Sequence, residues 1–329
     1  MTNLSTQYMG LDLRNPIIAA SSGITHSLEN IRELEKNGIG AVVLKSLFEE
    51  QIRYEISKSV GHNDDSAGMY SEAFDYIGNY ARMHYVDEYL NLITSCKKSV
   101  TIPIIASINC VSADEWTSFA RRIEEAGANA LELNIFVLPA DPNFSGEQNE
   151  KIYFDILEQV KKHISIPIAL KISYYFSGLA KTTLKLSWAG AKGIVLFNRF
   201  YSPDINLDNL KIVPSNVFST PDEMNHSLRW VAMLSDRLQC DIAASTGIHD
   251  GKGLVKQLLA GAKAVQIATT LYKNGFGRIG EMLQYLENWM EKHHYEKTSD
   301  FIGKLSLKKA ENPAAWERVQ FMKHFAGIE

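Results

Sequence analysis

The chain has 329 residues, of which 45% are hydrophobic and 22% charged, and its formal net charge is −4. Such a composition suits a globular protein with a large core, and the weakly acidic balance offers no basic footprint for nucleic acid. No apolar run approaches roughly 18 residues, the N-terminus is not leader-like, and the cysteines Cys96, Cys110 and Cys240 are scattered, so a cytoplasmic protein is expected, without membrane span, metal site or disulfide framework.

In chain order, four apolar runs each lead through a helical stretch and a glycine turn into a second apolar run. Asn15-Pro-Ile-Ile-Ala-Ala20 is followed by Gly38-Ile-Gly-Ala-Val-Val-Leu44, and Ile102-Pro-Ile-Ile-Ala-Ser107 by Gly127-Ala-Asn-Ala-Leu-Glu-Leu133. Ile166-Pro-Ile-Ala-Leu-Lys171 then precedes Gly190-Ala-Lys-Gly-Ile-Val-Leu196, and Cys240-Asp-Ile-Ala-Ala-Ser245 precedes Gly261-Ala-Lys-Ala-Val-Gln-Ile267. Uninterrupted apolar strands alternating with helices indicate a parallel sheet covered on both faces. Eight of them predict a (β/α)8 TIM barrel, class α/β, forming one domain over residues 1–329.

The connecting stretches support that pattern. Ser112-Ala-Asp-Glu115 has capping-box spacing, and Trp116, Phe119, Ala120 and Ile123 follow it as one helical face. Leu254, Val255, Leu258 and Leu259 make a similar face closed by Gly261, and a helix is predicted from Asn149 to His163. Two longer insertions leave from strand ends: Ser46 to about Lys98 after strand two, helical in its tyrosine-rich second half, and Asn198 to Asn225 after strand six. Both can cover the mouth of the barrel. A partly helical C-terminal tail begins at about Lys297.

Barrels of this kind carry their chemistry at the C-terminal strand ends. Strands seven and eight end in Ala244-Ser-Thr-Gly247 and Ile267-Ala-Thr-Thr270, small and hydroxyl-bearing turns whose amides can approach a phosphate. The other ends supply Lys45-Ser46, Asn109-Cys110, Asn134, Lys171 and Asn198-Arg199. Amides both donate and accept, which suits the edge of a heterocycle, and a buried lysine can hold negative charge on a ring or carboxylate. A non-redox phosphosugar isomerase, or a Schiff-base aldolase using Lys171 or Lys45, is compatible with the same windows.

These residues resemble those of the dihydroorotate dehydrogenase family of FMN barrels over about residues 8–295, nearest its class 1 members. The resemblance rests on Asn15-Pro16, Ala20-Ser21-Ser22-Gly23, Lys45-Ser46, Glu132-Leu-Asn134, Lys171, Asn198, Ser245-Thr-Gly247 and Ala268-Thr269. The segment Phe200-Tyr-Ser-Pro-Asp-Ile-Asn206 looks like the class 1 loop after strand six, while Asn109 resembles a class 2 asparagine. It implies FMN as cofactor and hydride transfer through flavin N5, with Lys45, Ser46, Asn109 and Lys171 at the flavin and Ala20 and Ser21 along its ring. Asn134 and Asn198 would bond flavin or substrate, and Ser245, Thr246, Gly247, Ala268 and Thr269 would hold the phosphate. A small-molecule substrate and a homodimer are likewise implied.

The chain also departs from the family. Where relatives read N-x-S-(C or S)-P-N, with a Cys or Ser base, this sequence has Asn134-Ile-Phe-Val-Leu-Pro139-Ala-Asp141, and Val137 and Leu138 cannot accept a proton. The loop N-S-M-G becomes Asp65-Ser-Ala-Gly68, and Arg199 replaces a Ser or Thr. Lost general-base catalysis costs about 10²–10⁴ in rate. The expected function is therefore an FMN-dependent oxidoreductase whose substrate is not dihydroorotate. Its acid–base and substrate-clamp candidates are Lys45, Cys110, Arg199, Tyr174 and Tyr175. A true dihydroorotate dehydrogenase of pyrimidine biosynthesis using another base, and a non-catalytic flavin-binding module, are the remaining alternatives.

Overall fold

In the computed structural model of the chain the described residues are 2–48, 86–110 and 117–318, without the side chains of residues 48, 110, 117 and 118. The Asp65–Ser71 loop and the Ser112–Glu115 capping box lie outside them. The fourfold repeat folds as predicted, into a closed ring of eight parallel strands. In ring order these are β3 (Ile17–Ala19), β4 (Ala41–Val43), β6 (Ile104–Cys110), β7 (Ala130–Ile135), β8 (Ile168–Ile172), β9 (Gly193–Leu196), β12 (Asp241–Ser245) and β13 (Ala264–Ile267). Pairing of β13 with β3 and of β4 with β6 completes the circle.

Strand alternation sorts the side chains into two cores. Ile17, Val42, Ile104, Leu131, Leu170, Ile194 and Val265 face the helices, whereas Ile18, Ala41, Val43, Ile105, Ala130, Ala169, Val195, Ala243 and Ala264 fill the lower barrel interior. So many alanines leave room at the bottom. An antiparallel hairpin, β1 (Thr6–Tyr8) and β2 (Leu11–Leu13), fills it with the buried side chains of Tyr8, Met9 and Leu13. Its two-residue turn, Met9-Gly10, has positive φ at both positions, as a tight hairpin of this twist requires. Gly193 admits the plug, since a Cβ there would lie 2.8 Å from the Tyr8 hydroxyl. Periodicity carries no sign of this hairpin, whose strands are only three residues each.

The helices largely follow their sequence signals. The glycine after Gly251–Ala260, Gly261, sits at φ 118°, as a left-handed cap should. The helix predicted from Asn149 to His163 runs instead from Gly146 to Lys161. It starts earlier because Ser145 caps it: Gln148 N donates to Ser145 Oγ, and Ser145 N donates to the Gln148 side chain. After strand two the described part of the insertion is helical from 86 to 99, burying Tyr89, Ile93 and Cys96. After strand six comes a second antiparallel hairpin, β10 (Pro203–Asn206) with β11 (Lys211–Pro214). Beyond Lys297 the described tail is short turns and one brief helix, Ala314–Glu317, anchored by buried Phe301. No described helix is long and apolar enough to cross a membrane.

Candidate active site at the C-terminal strand ends

The strand-two end is shaped by a bulge. Val43 pairs with Ile105, but Leu47, in β5 (Leu47–Phe48), pairs with Ile108, so four residues of strand two oppose three of β6. The extra residue falls at Leu44-Lys45-Ser46, and bulges of this kind re-aim side chains beside sites. The distortion leaves the Ser107 N–H and C=O without a partner on strand two, although the residue keeps its register with Glu132 of β7. The buried Tyr89 phenol takes that place, accepting from Ser107 N at 2.7 Å and donating to Ser107 O at 3.0 Å.

Three serines from consecutive barrel-strand ends then join. Ser46 N donates to Ser21 Oγ at 2.8 Å, and Ser46 Oγ lies 2.9 Å from Ser21 Oγ and 2.7 Å from Ser107 Oγ. Lys45, beside them, is half-buried, and among the described residues its side chain has no hydrogen bond or ion pair. Its ammonium is left for a ligand.

Toward the centre the inward positions become polar. Lys171 Nζ donates to Gln266 Oε1 at 3.0 Å and lies 3.7 Å from Glu132 Oε1. Gln266 Nε2 donates in turn to Glu132 Oε2. One level higher, Asn198 Nδ2 donates to Asn134 Oδ1 at 2.5 Å. Asn109, paired in register with Asn134, has a buried Oδ1 with no partner among the described residues. A buried acceptor of that kind calls for a donor from a ligand.

The opposite end is built of backbone. Thr246 and Gly247 are consecutive left-handed residues, at φ 74° and 79°. Only glycine fits the second position, because a Cβ would lie 2.3 Å from Met224 N. Thr269 opens the helix Thr269–Asn274, whose first amides have no intrahelical acceptor. Across them runs the end of the strand-six insertion. Ser219 N donates to Thr269 Oγ1 at 3.2 Å, Ser219 Oγ lies 3.1 Å from His249 Nε2, and Lys273 Nζ reaches Ser219 O at 3.5 Å. Burial, and then the Lys273 charge, hold the His249 imidazole below its usual pKa.

These groups surround one cleft with about 720 Å³ of empty space, its open mouth included. Of the thirteen cofactor-binding candidates, nine line it: Ala20, Ser21, Lys171, Asn198, Ser245, Thr246, Gly247, Ala268 and Thr269. Ser46 bonds to Ser21 and Asn134 to Asn198, with Lys45 and Asn109 adjacent in the chain or sheet. Arg199 also lines the cleft, but its guanidinium donates to Glu223 at 2.8 Å and to the carbonyls of Val217 and Asn216 at 2.8 and 2.7 Å. It braces the strand-six insertion. Cys110 ends β6 opposite Ile135, and its side chain lies outside the described residues.

The strand-four exit is aromatic. Phe136 stacks on Phe200 with ring centroids 4.9 Å apart, and Tyr175 lies 5.2 Å from Phe200. Tyr174 packs on Tyr175 and His226. Below them the Tyr153 phenol is shared by Ser173 and the Val137 backbone, and burial pushes it up to about 12. The sequence reading missed Gln266, Ser219, His249 and Tyr89. Gln266 alone had a signal, a single amide between Ala264 and Ala268 in an otherwise apolar strand.

The chain matches the family model described as Dihydroorotate dehydrogenase over residues 3–290. Among curated relatives it is similar to the catalytic subunit of dihydroorotate dehydrogenase B (NAD(+)) from Thermoplasma volcanium, 28% identical over 309 residues, covering 92% of this chain and 98% of that one. The protein of the same name from Pyrococcus furiosus is 27% identical over 308 residues, covering 92% and 98%. That from Methanocaldococcus jannaschii is 25% identical over 285 residues, covering 83% and 89%. With all eight barrel strands inside the match, this chain belongs to the dihydroorotate dehydrogenase family, as an FMN-dependent oxidoreductase that acts on CH–CH bonds.

Proposed function

We propose that the chain exchanges a hydride between FMN and a small molecule other than dihydroorotate. The observation that carries this reading is the strand-four exit. Where the family resemblance places a serine and then the base before a proline, this chain has Phe136, Val137 and, by one inserted residue, Leu138, and Phe136 is packed on Phe200. None of these side chains can take a proton, and an aromatic pair at the rim disfavours a polar, carboxylate-bearing ring. Arg199, the nearest alternative clamp for a carboxylate, is spent on Glu223 and loop carbonyls.

The residues fit FMN. Consecutive left-handed backbone at Thr246-Gly247 and the free amides opening Thr269–Asn274 suit a phosphate. The lysine Lys171 and the orphaned acceptor of Asn109 suit the oxygen- and N–H-bearing edge of a heterocycle. In this assignment Ala20 and Ser21 lie along the ring, Lys45 and Lys171 carry positive charge to it, and Asn134 and Asn198 bond ring or substrate. Bound FMN supplies the two-electron chemistry, and the protein supplies orientation and electrostatics. Tyr174, Tyr175 and Lys45 are the described proton-transfer candidates at the mouth.

We also propose that the β10–β11 hairpin is a homodimer surface. Ile205 and Ile212 pair across it and, with Leu207 and Leu210, stand 61–82% exposed. An isolated two-stranded hairpin needs cover to be stable in water.

The function is tested by anaerobic reduction of the purified holoprotein with a panel of dihydropyrimidines, reduced nicotinamides and saturated acids. Bleaching of the flavin by a member of the panel other than dihydroorotate supports the reading. Turnover of dihydroorotate at the highest efficiency in the panel contradicts it.

A further inference from the structure

Lys171 lines the cleft, whereas Glu132 lies behind it in the barrel interior, 1% exposed. One Glu132 oxygen accepts from Gln266, and the other has no hydrogen-bond partner among the described residues and lies 3.7 Å from Lys171 Nζ. Beneath this layer the inward positions are apolar, Ile105, Ala130, Ala169 and Val195 among them, with the Tyr8 phenol. Burial first, and then the charges of Glu132 and Asp241, hold that phenol well above its usual pKa. A carboxylate set against an apolar layer loses its hydration, and among the described residues one oxygen gains no hydrogen bond in return.

Stability does not account for this arrangement. Buried ion pairs are commonly no more stabilising than apolar residues of the same volume, and the layer below is already apolar. What the carboxylate does achieve is electrostatic. The Lys171 ammonium uses one donor on Gln266 and keeps others for the cleft, with its charge partly offset from behind. Gln266 donates to Glu132 and accepts from Lys171, so it fixes their separation.

We propose that Glu132 is a positioning residue that sets how much positive charge Lys171 presents to the cleft, and thereby the reduction potential of a flavin seated there. The inference rests on FMN occupying this cleft. Two-electron reduction adds charge to the ring, which an uncompensated Lys171 stabilises and a buried Glu132 opposes. Loss of the Glu132 charge therefore makes the flavin easier to reduce. Loss of Lys171 makes it harder, and also takes away the charge through which Glu132 acts on the cleft.

The test is a redox titration of the holoprotein against a dye of known potential. Glu132→Gln keeps the shape and the contact with Gln266, and Glu132→Met removes the charge at similar volume, so either variant that folds carries the test. The expected result is a shift of about tenfold in the oxidised–reduced equilibrium toward reduced flavin, or about 30 mV upward for a two-electron couple. Lys171→Met should shift it the other way, and adding Glu132→Gln to Lys171→Met should shift it no further. An unchanged potential in the charge-removing variants, or an equal upward shift in the Lys171→Met background, overturns the proposal. Wild-type protein that binds no FMN fails the cofactor reading itself, which a titratable wild type with an unresponsive variant does not.

Discussion

The Tyr89 hydroxyl stands in for a strand, bonding both the N–H and the C=O of Ser107 where the bulge at Lys45 has pulled strand two away. A helix outside the barrel thus completes the backbone hydrogen bonding of β6 beside the bulge that carries Lys45 and Ser46. Tyr89→Phe leaves a buried donor and a buried acceptor unpaired, a loss of about 1–3 kcal/mol. Thermal unfolding of the apoprotein should show it as a lowered Tm, and an unchanged Tm would mean that the bulge does not depend on the phenol.

The Thr246-Gly247 turn, proposed to hold the FMN phosphate, gives a second prediction. Gly247→Ala places a Cβ 2.3 Å from Met224 N at a residue with φ 79°. The variant should lose at least about 1 kcal/mol of stability and bind FMN at least about tenfold more weakly. Riboflavin, which lacks the phosphate, should lose much less. Isothermal titration with both ligands separates the two effects, and equal losses for both would place the phosphate elsewhere.

His249 makes the strand-six latch sensitive to acid. Its folded-state pKa lies below the ordinary value of 6.5 because burial, then Lys273, disfavour the imidazolium. The unfolded chain therefore binds the proton first. The contribution to stability is complete above the unfolded pKa of 6.5 and is lost as pH falls from there through the lowered folded value. His249→Asn should flatten that part of the Tm-against-pH curve, and parallel curves for variant and wild type would contradict the assignment.

The exposed hairpin gives the fourth prediction. A double substitution, Ile205→Asp with Leu210→Asp, puts charge on an apolar face whose residues are otherwise 61–82% exposed. Sedimentation should show a dimer for the wild type and a monomer for the variant, with the far-UV spectrum unchanged. A wild-type monomer would remove this role from the hairpin.

Much of this was legible in the sequence, and the reasons differ from place to place. The barrel was, because each of its eight strands is an apolar run ended by polar residues, a pattern that local sequence carries. That Lys171 and Asn198 line the cleft, with Asn134 bonded to Asn198, was legible because polar residues end several neighbouring apolar runs at one rim. The bulge at Lys45 was not, since it is a difference in pairing between Val43–Ile105 and Leu47–Ile108, and pairing is not local. Nor was the engagement of Arg199, whose partners Asn216, Val217 and Glu223 lie 17 to 24 residues away. The plug formed by Tyr8 and Met9 was hidden because its complement is an absence, the missing side chain of Gly193.

In the proposed reading the flavin half of the site is retained and the substrate half is rebuilt around Phe136, Val137 and Leu138. Stopped-flow mixing of the oxidised holoprotein with dihydroorotate under anaerobic conditions tests it most directly. The account predicts a yellow protein that releases FMN on denaturation, and whose absorbance dihydroorotate leaves unbleached on the timescale of turnover. Prompt and complete bleaching by dihydroorotate would contradict it.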